Sequence, residues 1–348
     1  MEEWMGADLV TALIGAVIAG AAGLLLGKLN AFKKKKGRSP LWLGALLFAV
    51  VLIGLLYFEE RPDETGQTDG GGKPVAGTTI SAPYVRAEGE MLVHYINVGQ
   101  GASQLLVGPT GKTMLIDAGN NDKEEMIVAY LQRAGIKKID ILVGTHPDAD
   151  HIGGLDAVID HFDIGQFYMP KVQSNTKTYE DVLLAAKKKG IKVDSAKADV
   201  NLKWDSGATA RIVAPIGDYS DTNEMSAVIR VAYGETSFLL TGDAESKSET
   251  DLVASGTNLK ADVLLIGHHG SNSSTSDPFL ERVGPKYAVI QSGKNNYGHP
   301  TPEILAKLAG KNITVLRNDT SGNIVFVSNG KSLDIKLDPW EYIKGKAK

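Results

Sequence analysis

The chain has 348 residues, enough for one large folded domain with appendages, and its 22% charged and 43% hydrophobic residues are ordinary for a globular protein. It has no cysteine, which excludes disulfides, zinc–thiolate sites and thiol nucleophiles. The formal net charge is −4, so the overall positive charge typical of nucleic-acid-binding proteins is missing.

Two apolar segments near the amino terminus predict a transmembrane helical hairpin at residues 1–60. Residues 7–27 and 41–58 are each long enough to span a bilayer, which takes roughly 20 apolar residues in a helix. Basic residues fill the segment between them, while the outer flanks are acidic, so the turn is expected in the cytoplasm and both ends outside. A cleaved signal peptide is the alternative, but the first charged residues are acidic rather than basic.

Residues 61–88 are rich in glycine, threonine and proline and have few large apolar side chains, which predicts a flexible linker. The remaining residues, 89–348, form the predicted folded domain. With this topology the protein lies in the cell membrane and its carboxyl-terminal domain is extracytoplasmic.

The hydrophobic pattern of this domain predicts a mixed α/β fold. Helices are expected at 123–134, 155–162 and 179–189, with another before the strand at 263–266 and two further helix–strand pairs leading to the strand at 325–327. Strands are expected at 92–98, 103–107, 113–116, 139–143, 166–169, 191–195, 210–214, 227–233, 237–240, 263–266 and 325–327. Helices interleaved with two groups of strands indicate two sheets packed face to face with helices outside, a four-layer αββα sandwich.

Four potential metal ligands, His146, Asp148, Asp150 and His151, follow the predicted strand at 139–143. Carboxylates this close repel one another unless positive charge lies between them. The chain has only seven histidines, and five of them lie in this run or in the short segments 267–270 and 297–300. A solvated loop or helix cap is the alternative, but this distribution of histidines predicts a metal site.

Two further polar clusters each follow an apolar strand: Asp243 comes after the strand at 237–240, and His268 and His269 come after the strand at 263–266. Side chains at the carboxyl ends of strands are held by the sheet and reach a common crevice. We therefore expect these residues to meet the first run in one site.

Six ordered motifs resemble the metallo-β-lactamase superfamily, and more closely the metallohydrolase domain of competence proteins of the ComEC/Rec2 type. The motifs are Val98-Gly99-Gln100-Gly101, Leu115-Ile116-Asp117-Ala118-Gly119, the run from His146 to His151, Leu240-Thr241-Gly242-Asp243, Gly267-His268-His269-Gly270-Ser271 and Tyr297-Gly298-His299-Pro300. The resemblance runs from about residue 91 to residue 300 and implies the αββα fold and a metal-dependent hydrolase.

The chain departs from this family in two ways. Asn97 and Ala102 stand where the family usually carries aspartate, so a role for those carboxylates does not carry over. The many membrane helices of a DNA channel are also missing from the sequence, so only the hydrolase domain is implied. The anchored arrangement is similar, too, to cell-surface phosphodiesterases of the superfamily that act on choline phosphate.

The resemblance implies two divalent metal ions, Zn²⁺ or Mn²⁺, for which imidazole and carboxylate are suitable ligands. His146 and Asp148 begin one metal centre, and Asp150 and His151 begin the other. Asp243 bridges them, and His269 completes the set, or His268 if the order of that pair is reversed. Two such ions would hold a hydroxide as the nucleophile, because they lower the pKa of bound water from ~15.7 to ~7.

Four further residues receive predicted roles around the metals. His268 is expected to contact the phosphate or donate a proton to the leaving oxygen, so that Asp150, His268 and His299 are the predicted catalytic residues. His299 and Asn223 are predicted to bind substrate. For each, an ordinary turn residue is the alternative, and for Asn223 the role of a further metal ligand is open as well. Asp117 is expected to orient the metal loop by hydrogen bonds, or to cap a turn.

The sequence thus predicts a membrane-anchored binuclear hydrolase of phosphoesters, a phosphodiesterase or nuclease, with nucleic acid as the first substrate class. Asp148 in place of a second histidine favours harder ions and phosphate esters. The alternatives are a phosphorylcholine esterase-like surface hydrolase, a lactone or lactam hydrolase, and a binding module without catalysis.

Overall fold

The computed structural model describes residues 77–344, which belong to one compact unit, Thr68–Lys348. The predicted transmembrane segments, 7–27 and 41–58, lie outside the described residues. Among residues 77–344 no helix is long and apolar enough to cross a membrane.

Sixteen strands are formed within the described part of the chain. In chain order they are β1 Thr78–Thr79, β2 Met91–Tyr95, β3 Gln104–Val107, β4 Thr113–Ile116, β5 Lys138–Val143, β6 Asp163–Met169, β7 Val193–Ser195, β8 Val200–Leu202, β9 Thr209–Ala214, β10 Val228–Tyr233, β11 Thr236–Leu240, β12 Val263–Leu265, β13 Tyr287–Ile290, β14 Thr314–Arg317, β15 Asn323–Ser328 and β16 Leu333–Asp338.

These strands form two sheets. The first has nine strands in the order β1-β16-β15-β2-β3-β4-β5-β6-β7, and the second has seven in the order β14-β13-β12-β11-β10-β9-β8. In the first sheet β4 to β7 run parallel, and in the second β11 to β14 run parallel. Each sheet therefore has a group of parallel strands whose carboxyl ends face the same edge.

The helices are α1 Glu124–Arg133, α2 Ala149–Ile152, α3 Leu155–His161, α4 Lys177–Lys188, α5 Ser246–Ala254, α6 Asp277–Val283, α7 Pro302–Gly310 and α8 Asn318–Ser321. Short 3₁₀ turns lie at Asn121–Lys123 and Gly267–Gly270.

Three apolar clusters define four layers, αββα. Alternate residues of a strand point to opposite faces, and in β4 Met114 and Ile116 enter the cluster between the sheets, while Leu115 packs with α1, α3 and α4. The outer face of the second sheet packs against α5, α6 and α7. The mixed α/β fold with two packed sheets is thus confirmed.

Some elements were not predicted from the sequence. Strand β8 and strand β16 have no counterpart among the predicted strands, and neither has the one-turn helix α2 within the histidine run. Thr78–Thr79, in the segment predicted to be a linker, pair in parallel with β16. The division into residues 1–60, 61–88 and 89–348 stays a prediction.

Candidate metal centre

The histidine run leaves the carboxyl end of β5 and turns into α2. Two neighbouring segments hold its backbone, since the amide of Ala102 donates to the carbonyl of Asp150 (3.0 Å) and the amide of Ala118 to that of His151 (2.7 Å). Gly101 allows this approach, because a Cβ atom at that position would lie 2.4 Å from the Asp150 carbonyl oxygen. The run is therefore fixed by backbone contacts on both sides.

Asp117, directly after β4, holds the imidazole of His151. Its buried carboxylate accepts hydrogen bonds from the amide of Thr145 (2.8 Å), from the Thr145 hydroxyl (2.6 Å) and from Nδ1 of His151 (2.8 Å). A carboxylate that accepts from Nδ1 fixes the tautomer of the ring and directs Nε2 towards the site. Asp117 adopts a left-handed backbone conformation, φ 56°, which aspartate tolerates better than most residues.

His146 is fully buried at the start of the same run. Its Nδ1 lies 3.1 Å from the hydroxyl of Thr145, whose proton is already donated to Asp117, so the oxygen accepts from the imidazole. Nε2 of His146 is buried and has no hydrogen-bond partner. A buried nitrogen lone pair without a partner is costly, and a metal ion would remove that cost.

The second sheet contributes Asp243, which follows β11. Its backbone amide donates to the hydroxyl of Ser226 (3.1 Å). One carboxylate oxygen lies 3.1 Å from Nε2 of His151, and the other lies 3.4 Å from Nε2 of His269. The carboxylate of Asp243 therefore faces imidazoles from both sheets.

His268 and His269, in the turn after β12, both have left-handed backbone conformations, φ 48° and 54°. Such conformations are unfavourable for non-glycine residues and cluster at functional sites. The turn points the two rings differently. Nδ1 of His269 donates to the carbonyl of Gln291 (2.7 Å), which can only accept, and Nε2 lies 3.2 Å from Asp150.

Gln291 also connects the two sheets behind His269. Its side-chain amide donates to the carbonyls of Ile96 (2.9 Å) and Ser103 (3.0 Å), next to β2 and β3, and its oxygen accepts from the Gln104 side chain. The residue that orients His269 is thus itself fixed to the first sheet.

His268 lies further out, with 26% of its side chain exposed and Nε2 3.8 Å from Asp243. Its Nδ1 donates to Glu245 at 2.8 Å, and Glu245 also accepts from the hydroxyl of Ser273 (2.8 Å) and the side-chain amide of Asn223 (3.4 Å). Asn223 therefore contacts the site through Glu245.

Two other predicted residues border this cluster. The ring of His299 lies 5.4 Å from that of His268, centroid to centroid, and its Nδ1 is buried without a hydrogen-bond partner. Asp148 is 47% exposed, 3.9 Å from Nε2 of His146, and accepts from the hydroxyl of Thr222 (3.3 Å). Both therefore line the mouth of the site.

Potential ligand atoms gather in two groups that share His151. One group is His146, His151 and Asp243, and the other is Asp150, His151 and His269, each with its atoms within 4.8 Å of one another. Nε2 of His151 lies 3.3 Å from Nε2 of His269. Because both Nδ1 atoms are occupied as donors, the two Nε2 lone pairs face each other, and a cation or a proton must lie between them. The residues fit a metal ion well.

The electrostatics show the same need for positive charge. Burial opposes charge on Asp243, but His151 and His269 hold the pKa of its carboxyl well below the usual range. Burial also opposes protonation of His151, but Asp243 and Asp117 raise its pKa well above 6.5. Burial would raise the pKa of Asp150, but the hydrogen bond with His269 and the charges of His151 and His269 together outweigh it and lower the pKa to about 2.

His146 differs from the other buried imidazoles. Burial and the nearby His151 ring lower its pKa to about 4, so it is neutral at physiological pH. Neutral imidazole is the form that binds a metal ion.

Glu245, Ser226 and Gln291 were not predicted from the sequence. Glu245 carries a weak signal, since it stands two positions after Asp243 in the same loop. Gln291 contacts His269 through its main-chain carbonyl, which every residue type has, so no sequence signal could identify it. Asn97, at the position of the missing aspartate, accepts from the amide of Gly99 (3.1 Å), while Ala102 contributes only its backbone.

Comparison with known proteins identifies the family. The model of the metallo-beta-lactamase superfamily matches residues 97–294, more than half of the chain. The chain therefore belongs to this superfamily. Members bind divalent metal ions, often two, and the histidine–aspartate cluster described above is consistent with such a site.

The curated proteins to which this chain is similar include competence proteins. It is 33% identical over 262 residues to ComE operon protein 3 of Bacillus subtilis, covering 70% of this chain and 34% of that protein. It is 35% identical over 256 residues to competence protein ComA of Neisseria gonorrhoeae, covering 72% and 34%. The chain therefore spans about a third of the length of these relatives. The predicted resemblance to the ComEC/Rec2 type is confirmed.

Among solved structures, CmlA, a diiron beta-hydroxylase from Streptomyces venezuelae, is similar with a TM-score of 0.48 and 14% sequence identity. That likeness covers 70% of this chain and 55% of CmlA.

Proposed function

We propose that this domain is a binuclear phosphodiesterase that holds Zn²⁺ or Mn²⁺ and cleaves nucleic acid. One observation carries the proposal: the Nε2 atoms of His151 and His269 face each other at 3.3 Å beside the carboxylates of Asp150 and Asp243. Nitrogen lone pairs and carboxylates from both sheets converge there, and a divalent cation is the ligand that suits them.

The proposed metal ligands are all close to this point. They are His146, Asp148, Asp150, His151, Asp243 and His269. These residues would hold two divalent ions, and the chemistry supplied by such a pair would be a bound water with a pKa of about 7 and stabilisation of the attacking and leaving oxygens of a phosphodiester. Three carboxylates among six ligands make the site rich in oxygen, which favours phosphate esters as substrates.

Residues next to the proposed metal ligands would act on the leaving group and on the phosphate. His268 is held by Glu245 through Nδ1, so its Nε2 is directed towards the site. In the imidazolium form, which carries a proton on each nitrogen, the ring would donate the Nε2 proton to a leaving oxygen and keep the one on Nδ1. His299 lies beside it at the mouth, where it would contact the non-bridging oxygens of the phosphate. Asn223 contacts Glu245 and completes this side of the site.

Two considerations support nucleic acid as the substrate. The names of the relatives include competence protein and, for a Haemophilus influenzae protein 31% identical over 260 residues, recombination protein. Both names refer to the handling of DNA. The chain lacks an overall positive charge, but bound divalent ions would supply the attraction for phosphate at the point of cleavage.

We also propose that residues 7–27 and 41–58 anchor the protein in the cell membrane, with the hydrolase domain outside. The basic segment between them supports this orientation, because positive residues are retained in the cytoplasm.

The proposal is tested with the purified full-length protein, by hydrolysis of bis-p-nitrophenyl phosphate and of single-stranded DNA in the presence of Mn²⁺ or Zn²⁺. We expect metal-dependent cleavage of both that Asp243→Asn abolishes. Asp262→Asn is the control, because Asp262 accepts from the amide of Ser237 (2.9 Å) at the amino-terminal end of β12, the opposite end of the strand from His268.

Absence of any phosphodiesterase activity in the metal-loaded protein would contradict the proposal. Hydrolysis of p-nitrophenyl phosphorylcholine alone would indicate a surface esterase, and hydrolysis of lactones or lactams alone a different use of the same site. A metal content near zero in the folded protein would indicate a binding module.

A further inference from the structure

Tyr297 is unusual among the aromatic residues in the described part of the chain. Its side chain is 75% exposed, and it is the only aromatic one among the five strongly exposed large apolar side chains within residues 77–344. A single exposed apolar residue is common on protein surfaces. The position of Tyr297 beside the candidate metal centre and the rigidity of its loop distinguish it.

The loop that carries Tyr297 is held by one side chain, that of Asn295. Its Oδ1 accepts from the amides of Tyr297 (3.0 Å) and His299 (3.1 Å), and its Nδ2 donates to the carbonyls of Gly293 (2.8 Å) and His299 (2.7 Å). Four hydrogen bonds thus define the conformation of 293–299. Functional groups on a pre-organised segment lose little entropy when they bind a ligand.

The start of the loop is fixed to the domain as well. The amide of Gly293 donates to the side chain of Gln100 (3.3 Å), and a Cβ atom at Gly293 would lie 2.4 Å from the backbone of Gly99. The loop is therefore packed against the segment that precedes β3 and is not free to swing over the site.

A row of rings leads from the metal centre to Tyr297. The centroids of His268 and His299 are 5.4 Å apart, and those of His299 and Tyr297 are 5.9 Å apart with 32° between their planes. Since Nε2 of His268 lies 3.8 Å from Asp243, the tyrosine is two ring-to-ring steps from the residues proposed to hold metal. A group bound to Tyr297 would therefore be next to a phosphate bound at the centre.

The chemistry of an exposed phenol ring favours a planar partner. Nucleobases stack on aromatic side chains without requiring a particular sequence. A quaternary ammonium group, such as choline, is bound by cages of several rings. The only ring contact of Tyr297 among the described residues is the one with His299, so no such cage is formed.

We propose that Tyr297 is a stacking platform for an unpaired base next to the cleaved phosphodiester, and that it makes the enzyme prefer single-stranded nucleic acid. The inference rests on the proposed phosphodiesterase activity and specifies its substrate. Bases of a duplex are already stacked on their neighbours, so only a strand with free bases can use the ring.

The test compares two single-stranded substrates of equal length and charge, an oligothymidylate and an oligomer of abasic residues, with the full-length metal-loaded protein. We expect kcat/KM to be higher for the oligothymidylate. The preference for bases is the ratio of kcat/KM for the oligothymidylate to kcat/KM for the abasic oligomer. Tyr297→Ala should reduce this ratio about 5- to 150-fold, the factor that corresponds to a stacking energy of about 1–3 kcal/mol per base. Most of the change is expected in KM for the base-bearing substrate.

Tyr297→Trp and Tyr297→Phe keep a ring and should keep the ratio. Ile343→Ala removes another exposed apolar side chain, 53% exposed and outside the site, and should leave the ratio unchanged. Thermal unfolding of each variant checks that the fold is intact.

Several results would overturn the platform. One is a ratio of one in the wild type while bis-p-nitrophenyl phosphate is still hydrolysed. In that case the stacking proposal fails and the proposed phosphodiesterase activity holds. Others are an unchanged ratio in Tyr297→Ala, an equal loss in Tyr297→Phe, or a loss confined to p-nitrophenyl phosphorylcholine. If no phosphodiester is hydrolysed at all, the proposed function fails and the platform with it.

Discussion

Replacing Asp117 by asparagine tests whether the buried carboxylate prepares His151 to bind metal. The substitution changes one atom, and asparagine tolerates the left-handed backbone of this position as aspartate does. In the wild type one oxygen accepts from the amide of Thr145, while the other accepts from the Thr145 hydroxyl and from His151. An amide has only one acceptor oxygen, so whichever way it is turned, its NH₂ group faces a donor.

The expected magnitude follows from this mismatch. Substitution of a hydrogen-bond partner of a metal-binding histidine typically lowers metal affinity about 10- to 100-fold, or about 1.4–2.8 kcal/mol. The unpaired donor also costs about 1–3 kcal/mol of folding stability. The loss of stability follows from the unpaired donor, and the loss of metal affinity follows because the acceptors that keep the proton on Nδ1 of His151 and hold the Thr145 amide can no longer both be present.

The assay is competition for Zn²⁺ or Mn²⁺ with a coloured chelator of known affinity, together with thermal unfolding of the metal-free protein. Asp205→Asn is a matched control, because Asp205 is also buried and accepts from the amide and hydroxyl of Thr110 and from the amide of Gly207, but lies away from the site. It should lose stability and keep its metal affinity. A folded Asp117→Asn protein with wild-type metal affinity would refute the reasoning.

Three further outcomes are expected. Glu245→Ala should reduce kcat about 100-fold with metal content unchanged, because the His268 ring loses its orientation. Glu245→Gln keeps an acceptor for His268, so its kcat should fall much less. Equal losses of kcat in the two variants would contradict this explanation. Burial, with a smaller effect of Arg133, lowers the pKa of His94 to about 4. The unfolded state therefore takes up the proton first, and the unfolding free energy should fall by up to about 3 kcal/mol as pH falls from 6.5 to 4, with a shallower slope in His94→Gln in denaturant titrations. Removal of metal with a chelator should lower the melting temperature, and metal restored at 100 times its Kd should stabilise the wild type by about 2.7 kcal/mol but not Asp243→Asn.

The fold was predictable where the sequence pattern repeats. Buried parallel strands read as continuous apolar runs, so β5, β11 and β12 were recognised and the polar residues after them were expected to meet. Strand β16 was missed although Leu333, Ile335 and Leu337 alternate with polar residues. Strand β1 has only two residues, too few for any pattern.

The site was predictable in its residue types but not in its geometry. His268 and His269 follow the same strand, so spacing alone leaves their order open. In the structure two consecutive left-handed residues turn the ring of His269 to Asp150 and that of His268 to Glu245. Backbone conformations of this kind depend on the surrounding fold, and no local pattern predicts them for histidine.

The candidate site draws its side chains from both sheets, and this determines when it can form as the chain folds. His151 and His269 are 118 positions apart, and joining segments so distant is a slow, non-local event. A partly folded chain therefore has no complete ligand set. The metal ion would bind only after the two sheets have packed together, and it would then link them. Added metal should leave the rate of refolding unchanged and should slow unfolding, because its contacts are absent from the transition state.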